Sequence, residues 1–336
     1  MLDAGLKLTS ALRRIGPVHA LTYIDAPGSE GDVCAFQLAH DGVPFVVEAV
    51  SCRSMIVAPG DVFLATPGYR ESTRWVAGEI PAGGLVPGRR YWVLAPSGVV
   101  GDLVSDSPLD NSHLAEVAFL GVVTGAGGDL LNIGQFALIA AKAAPDRGAP
   151  VFVILGTSAE VGKTTAGTTI LRALRQAGRH TIVVLKATGT SSLGELAAYR
   201  DFGATEAFDC VDFGLPTTYP SGRPGIAKTF DRALDWCLSR EADAVLIECG
   251  GDILGANVPA FLARLKRRRP KPTVVLAAAD ALGAIGATRI LAERGLAVRL
   301  VTGPCTDTPV LRRRTQELCG APAVNMTRGD AEGILG

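Results

Sequence analysis

One segment constrains the fold of this chain more than any other: VFVILGTSAEVGKTTAGTTILRALRQAG, residues 151–178. A run of apolar residues enters Gly156, and a helical pattern starts at Lys163 and continues to about 177. A strand that turns through glycines into a helix aims backbone N–H groups and the positive end of the helix dipole at one point, where anionic oxygens can be held. Gly156, Thr157, Ser158, Glu160, Val161, Gly162, Lys163, Thr164 and Thr165 are the expected cradle. Lys163 is expected to reach the β- and γ-phosphates, and the Thr164 hydroxyl to ligate Mg²⁺. The bland alternative is a glycine-rich helix cap with an exposed lysine.

The rest of the second half keeps that rhythm. TIVVLK, AVLIE, TVVLAAAD and VRLVTG read as apolar strands, separated by helical stretches near 193–203, 226–240, 258–268 and 284–294. Strands buried on both faces and alternating with helices predict an α/β fold, a parallel sheet of the P-loop NTPase type. The first half reads differently. VPFVVEAV (43–50), DVFLAT (61–66) and RYWVLAPSGVV (90–100) are short and rich in β-branched or aromatic residues, with Pro and Gly at their borders. FLGVVTGAGGDLLNIGQF (119–136) reads as a hairpin around Gly125, Gly127 and Gly128; a dinucleotide fingerprint fails because Leu130 stands at the third glycine position. KAAPDRGAP (142–150) has linker composition. The expected organisation is therefore a smaller, strand-rich domain over 1–141, a linker, and a nucleotide domain over 151–336.

Charge excludes some function classes. The 33 basic and 33 acidic side chains cancel, which argues against a nucleic-acid or membrane-surface binder. The halves differ: residues 1–150 hold ten basic against fifteen acidic side chains, and the remainder is correspondingly positive. Basic runs at 266–269 and 312–314 read as solvated helix faces. Seven cysteines without metal-site spacing, and an N-terminus without an apolar leader segment, suggest reduced thiols and a cytoplasmic setting.

Further residues have chemistry suited to the phosphate loop. Glu248 ends an apolar strand at the sheet edge where such folds bind ligands, and is placed to hold Mg²⁺. Lys186 also ends a strand, where an ammonium can stabilise transferring charge. Thr188, Thr190 and Ser191 follow it as candidate donors to a substrate, although turn and cap chemistry explains such residues nearly as well. The aperiodic loop 214–225 offers Tyr219 and Arg223 as substrate groups. Cys249 reads as a buried small residue.

Four ordered segments resemble the dethiobiotin synthetase family over about residues 151–335: the GTxxxVGKT loop, Lys186-Ala187-Thr188-Gly189, Ile247-Glu248-Cys249-Gly250-Gly251, and residues 274–291. The resemblance implies ATP and Mg²⁺ as cofactors and catalytic roles for Lys163, Lys186 and Glu248. It also implies a further metal-directed carboxylate at Asp212, with Asp209 and Asp252 as competitors, and base contacts at Thr302 and Gly303. The implied activity is γ-phosphoryl transfer that activates a small carboxylate or carbamate, as a ligase or small-molecule kinase. The expected partner is a small molecule rather than nucleic acid or membrane, and the expected assembly is a homodimer. Two other classes remain open: an amino-acid N-acyltransferase, whose family has an ATG run similar to Ala187-Thr188-Gly189, and a regulatory ATPase switch.

Overall fold

The computed structural model describes residues 6–16, 22–72, 76–105, 114–125, 127–140, 145–329 and 333–334. The chain divides into two compact units. One comprises Met1–Leu138, Thr190–Gly194 and Asp209–Arg223; the other comprises Ile139–Gly189, Glu195–Phe208 and Pro224–Gly336. Two short segments of the second half are thus counted with the first unit. Of the expected linker, residues 142–144 lie outside the described residues.

The second unit is built on six parallel strands: β1 (Val151–Gly156), β2 (Ile182–Thr188), β3 (Glu206–Phe208), β4 (Ala244–Cys249), β5 (Thr273–Ala277) and β6 (Val298–Thr302). Their order is β3-β2-β4-β1-β5-β6. Every residue of β1, β2 and β4 is buried, as expected of strands covered on both faces. Between them run helices α1 (Lys163–Gln176), α2 (Leu193–Asp201), α3 (Ile226–Leu238), α4 (Val258–Arg268), α5 (Ala281–Glu293) and α6 (Pro309–Cys319). α1 buries Ala166, Ile170, Leu171 and Leu174, an apolar stripe at helical spacing. Asp280 caps α5 by accepting from the Gly283 N–H, and Thr308 caps α6 from the Leu311 N–H. Two residues of the basic run at the end of α4 are ion-paired, Arg268 with Asp231 and Asp235 of α3 and Arg269 with Asp146, while Lys266 and Arg267 are exposed.

The first unit contains a closed ring of five strands. Val62–Pro67 pairs with Cys34–Leu38, then Glu116–Thr124, Arg90–Ala95 and Val99–Ser105, which returns to Val62–Pro67. Closure removes both edges and wraps a small barrel around its side chains. Phe36, Phe63, Tyr91 and Phe119 are fully buried inside, with Phe36 and Phe119 centroids 5.4 Å apart. The single strand expected over 90–100 is two, because Pro96, Ser97 and Gly98 turn the chain back. The expected hairpin over 119–136 is a turn closed by one bridge, Thr124↔Leu130, before a short 3₁₀ turn at Ile133–Phe136. Within the same unit, Arg13 donates to Asp209 and Asp212 at 2.6 Å each, and all three side chains are largely buried.

All seven cysteines are reduced thiols. Among the described residues no helix is long and apolar enough to cross a membrane.

Candidate functional site

The phosphate loop runs from the end of β1 to the start of α1. Gly162 adopts φ 85°, a left-handed conformation that glycine takes without strain, and so the chain turns directly into the helix. Gly156 makes room for a side chain instead. The Lys163 side chain folds back over it, and a Cβ there would lie 2.8 Å from Lys163 Cδ and 2.9 Å from Nζ. Lys163 Nζ donates to the Ser158 carbonyl across the loop at 2.7 Å. The loop is braced from β5: the Thr157 N–H donates to the Ala277 carbonyl, and the Thr157 hydroxyl accepts from the Ala279 N–H. Val161 is buried, while Glu160 and Thr165 are exposed.

Three adjacent strands bring the other groups together. In the sheet register Glu248 of β4 stands beside Ile154 of β1 and Lys186 of β2. Thr164 Oγ1 lies 3.3 Å from Glu248 Oε1, and Tyr199 of α2 donates its hydroxyl to Glu248 Oε2. Lys186 is ion-paired with Glu195, also of α2. Glu248 is 2% exposed and Lys163 and Lys186 are each 7% exposed, so this is a desolvated cluster of charges. Burial pushes the Glu248 carboxyl above the usual carboxylate range, with Glu195 adding repulsion and Lys186 opposing. Burial lowers Lys163, and nearby Lys186 lowers it further, against the pull of Glu248. Tyr199 rises well above an ordinary phenol through burial and the adjacent Glu248 charge.

The strand ends are tied to one another. Thr188 donates its hydroxyl to the Gly250 carbonyl at 2.9 Å, and the Gly250 N–H returns a bond to the Thr188 carbonyl. Its hydroxyl thus joins β2 to the turn after β4. Ile253 donates its N–H to the Gly156 carbonyl, so the segment after β4 rests on the phosphate loop. Asp252 closes the turn in that segment by accepting from the Leu254 and Gly255 N–H groups. Thr302 accepts from the Met326 N–H, and Gly303 packs its backbone so closely on Val161 and Ala278 that a Cβ would come within 2.8 Å of both carbonyls.

The remaining expected site residues belong to the first unit. Asp212 accepts from Arg13 and from the Asp209 N–H, closing a reciprocal cap on the turn Cys210–Phe213. Thr190 bridges Thr217, Ser191 pairs its hydroxyl with Ser97, Tyr219 is buried, and Arg223 is ion-paired with Glu30. Two residues of the second-unit cluster escaped the sequence reading, Glu195 and Tyr199. Gly167, in the middle of α1, is a trace of Tyr199 in the sequence, since an interior glycine weakens a helix and implies close packing.

The residues fit a nucleotide-bound Mg²⁺. Among the described residues no group of three His, Cys, Asp or Glu side chains gathers as a metal site. Magnesium on a nucleotide needs only one or two protein oxygens, because phosphates and water supply the others. Thr164 and Glu248 are such a pair of hard oxygen donors.

No family model matches the chain, and no curated protein matches it. Solved structures similar to it include the FtsY protein of Mycoplasma mycoides, at 13% identity over 55% of this chain and 63% of that one, with a TM-score of 0.37. Also similar are the FtsY protein of Thermotoga maritima, at 19% identity over 57% and 66% with a TM-score of 0.36, and the 54 kDa signal recognition particle protein of Aeropyrum pernix in complex with GDP, at 17% over 53% and 41% with a TM-score of 0.36. The chain spans less than two thirds of each of these. No family model matches the chain and these similar structures are of another kind, which corrects the expected membership of the dethiobiotin synthetase family. The four segments behind that expectation are pieces of strand, turn and helix that a parallel sheet around a phosphate loop presents in any case. They report the sheet and not the reaction. The ATP-dependent ligase or kinase, with its carboxylate or carbamate substrate, is withdrawn with the family. The class defined by fold and loop is an α/β, parallel-sheet protein of the P-loop type.

Proposed function

We propose that the second unit binds a magnesium nucleoside triphosphate and hydrolyses it as a conformational switch. The observation that carries this reading is the meeting of Lys163, Thr164 and Glu248 at the ends of β1 and β4, with Thr164 Oγ1 3.3 Å from Glu248 Oε1. Thr164 and Glu248 would hold the metal, which when bound neutralises charge developing on the phosphates. Lys163 leaves the Ser158 carbonyl for the phosphate oxygens, exchanging a neutral acceptor for a charged one. Lys186 adds a second ammonium on the same side of the sheet. Water attacks the terminal phosphorus, the bond to the bridging oxygen breaks, and a nucleoside diphosphate and inorganic phosphate leave.

The contacts of these groups favour a switch. Glu248 and Lys186 are both held by α2, and the Gly156 carbonyl by the segment after β4. A ligand that engages the same charges competes with those contacts and biases two elements at once. That segment also holds Ala256 and Asn257 at φ 50° and 61°, sparsely populated for residues with a Cβ, as in elements poised between arrangements. Hydrogen exchange of the full chain tests this reading. Amides of α2 and of residues 250–257 should change protection between a non-hydrolysable triphosphate and a diphosphate, both with Mg²⁺. Identical protection in the two states would reject the switch.

A further inference from the structure

We propose that Tyr199 positions Glu248 for the metal-bound nucleotide, and that Gly167 is the slot that admits it. The inference rests on the reading above. Tyr199 is fully buried on α2, and its hydroxyl donates to Glu248 Oε2. The other carboxylate oxygen is left on the Thr164 side, 3.3 Å from Oγ1. A glutamate's last torsion is broad, so a carboxylate held at one oxygen is fixed in orientation while one held at neither is not. Outer partners of this kind orient the groups that touch a metal.

The route to Glu248 runs past α1. A Cβ on Gly167 would lie 2.7 Å from Tyr199 Cε1 and 2.8 Å from Cζ, and closer still to the hydroxyl. Those atoms belong to a ring packed in the core, which cannot swing away as a flexible chain end can. An interior helix glycine costs about 1 kcal/mol relative to alanine. Here the gap it leaves is filled by the ring that reaches the acid. One turn earlier on α2, Glu195 holds Lys186. Residues four apart share a helix face, so α2 presents both groups that set the charged side chains of β2 and β4.

The test is equilibrium binding of a fluorescent, non-hydrolysable triphosphate analogue to the full chain, in EDTA and in Mg²⁺. Tyr199→Phe should bind as tightly as wild type in EDTA. The gain in affinity that Mg²⁺ provides should fall about tenfold. Gly167→Ala should reproduce that loss by displacing the ring, and in both variants KM for the magnesium nucleotide should rise about as much as the Mg²⁺ gain falls. A residue with a packing role alone would weaken binding in EDTA too and leave the Mg²⁺ gain intact, an outcome that overturns the proposal. A wild-type chain that binds no triphosphate overturns the proposed function, and this inference with it. A wild-type chain with a normal Mg²⁺ gain that Tyr199→Phe retains overturns this inference alone.

Discussion

Lys163 shows how one side chain serves two states of the loop. Its ammonium is nearly closed off from water and bonded to the Ser158 carbonyl, with burial lowering its pKa. A triphosphate offers that charge a better partner than a neutral carbonyl, which makes release from the loop favourable on binding. Glu248→Gln retains the shape and one acceptor but removes the negative charge beside Thr164. It should bind nucleotide in EDTA within a few-fold of wild type, lose at least as much of the Mg²⁺ gain as Tyr199→Phe, and lose about tenfold or more in turnover, read by phosphate release. Arg13 is a structural counterpart in the first unit. It is buried against two carboxylates, and burial, the largest influence, lowers its pKa, yet Asp209 and Asp212 raise it overall. Arg13→Ala leaves two buried acids uncompensated and should destabilise that unit by about 3–5 kcal/mol in urea unfolding. An unchanged midpoint would show that water reaches the acids.

Between elements, α3 and α4 are joined by aromatic packing and by ions. Phe230 and Phe261 meet edge to face at 5.3 Å, and Asp231 accepts from Arg264 and Arg268. Burial pushes Asp231 upward, but the two arginines outweigh it and hold its carboxyl below the ordinary value of 3.8. A depressed carboxylate contributes stability above its unfolded pKa and loses it as pH falls through the folded value. Asp231→Asn should therefore lower thermal stability at pH 7 by about 1 kcal/mol or less, given solvent screening, and the difference should shrink as pH falls below the ordinary carboxylate range. A difference that persists in acid would assign the effect to packing. The same scale explains what could be read in advance. α1 and the loop before it were legible because glycines, apolar spacing and the basic residue are all local to residues 151–178. The barrel was not, because its closure depends on distant pairs such as Val99↔Thr66 and Cys34↔Ala65. Glu248 was legible as a strand-end acid, whereas Tyr199 lies 49 residues away in the chain and carries no motif.

For the whole molecule, the linear division into halves does not describe the compact units. Residues 190–194 and 209–223 count with the first unit, and they bring Asp209 and Asp212 to Arg13 and the N–H groups of Leu193 and Gly194 to the Glu48 carboxylate. A fragment of residues 1–141 lacks all of these partners. It should show no cooperative thermal transition by circular dichroism, and a sharp transition would mean that the barrel stabilises itself. The neutral net charge likewise hides a positive half built around a cluster of buried lysines and a glutamate, where a phosphate ligand would sit. The most direct measurement of the account is calorimetric titration of the full chain with a non-hydrolysable nucleoside triphosphate and Mg²⁺. Wild type should bind with one site per chain, and Lys163→Ala should give no measurable heat of binding. Equal affinity in the two proteins, or no binding by wild type, would contradict it.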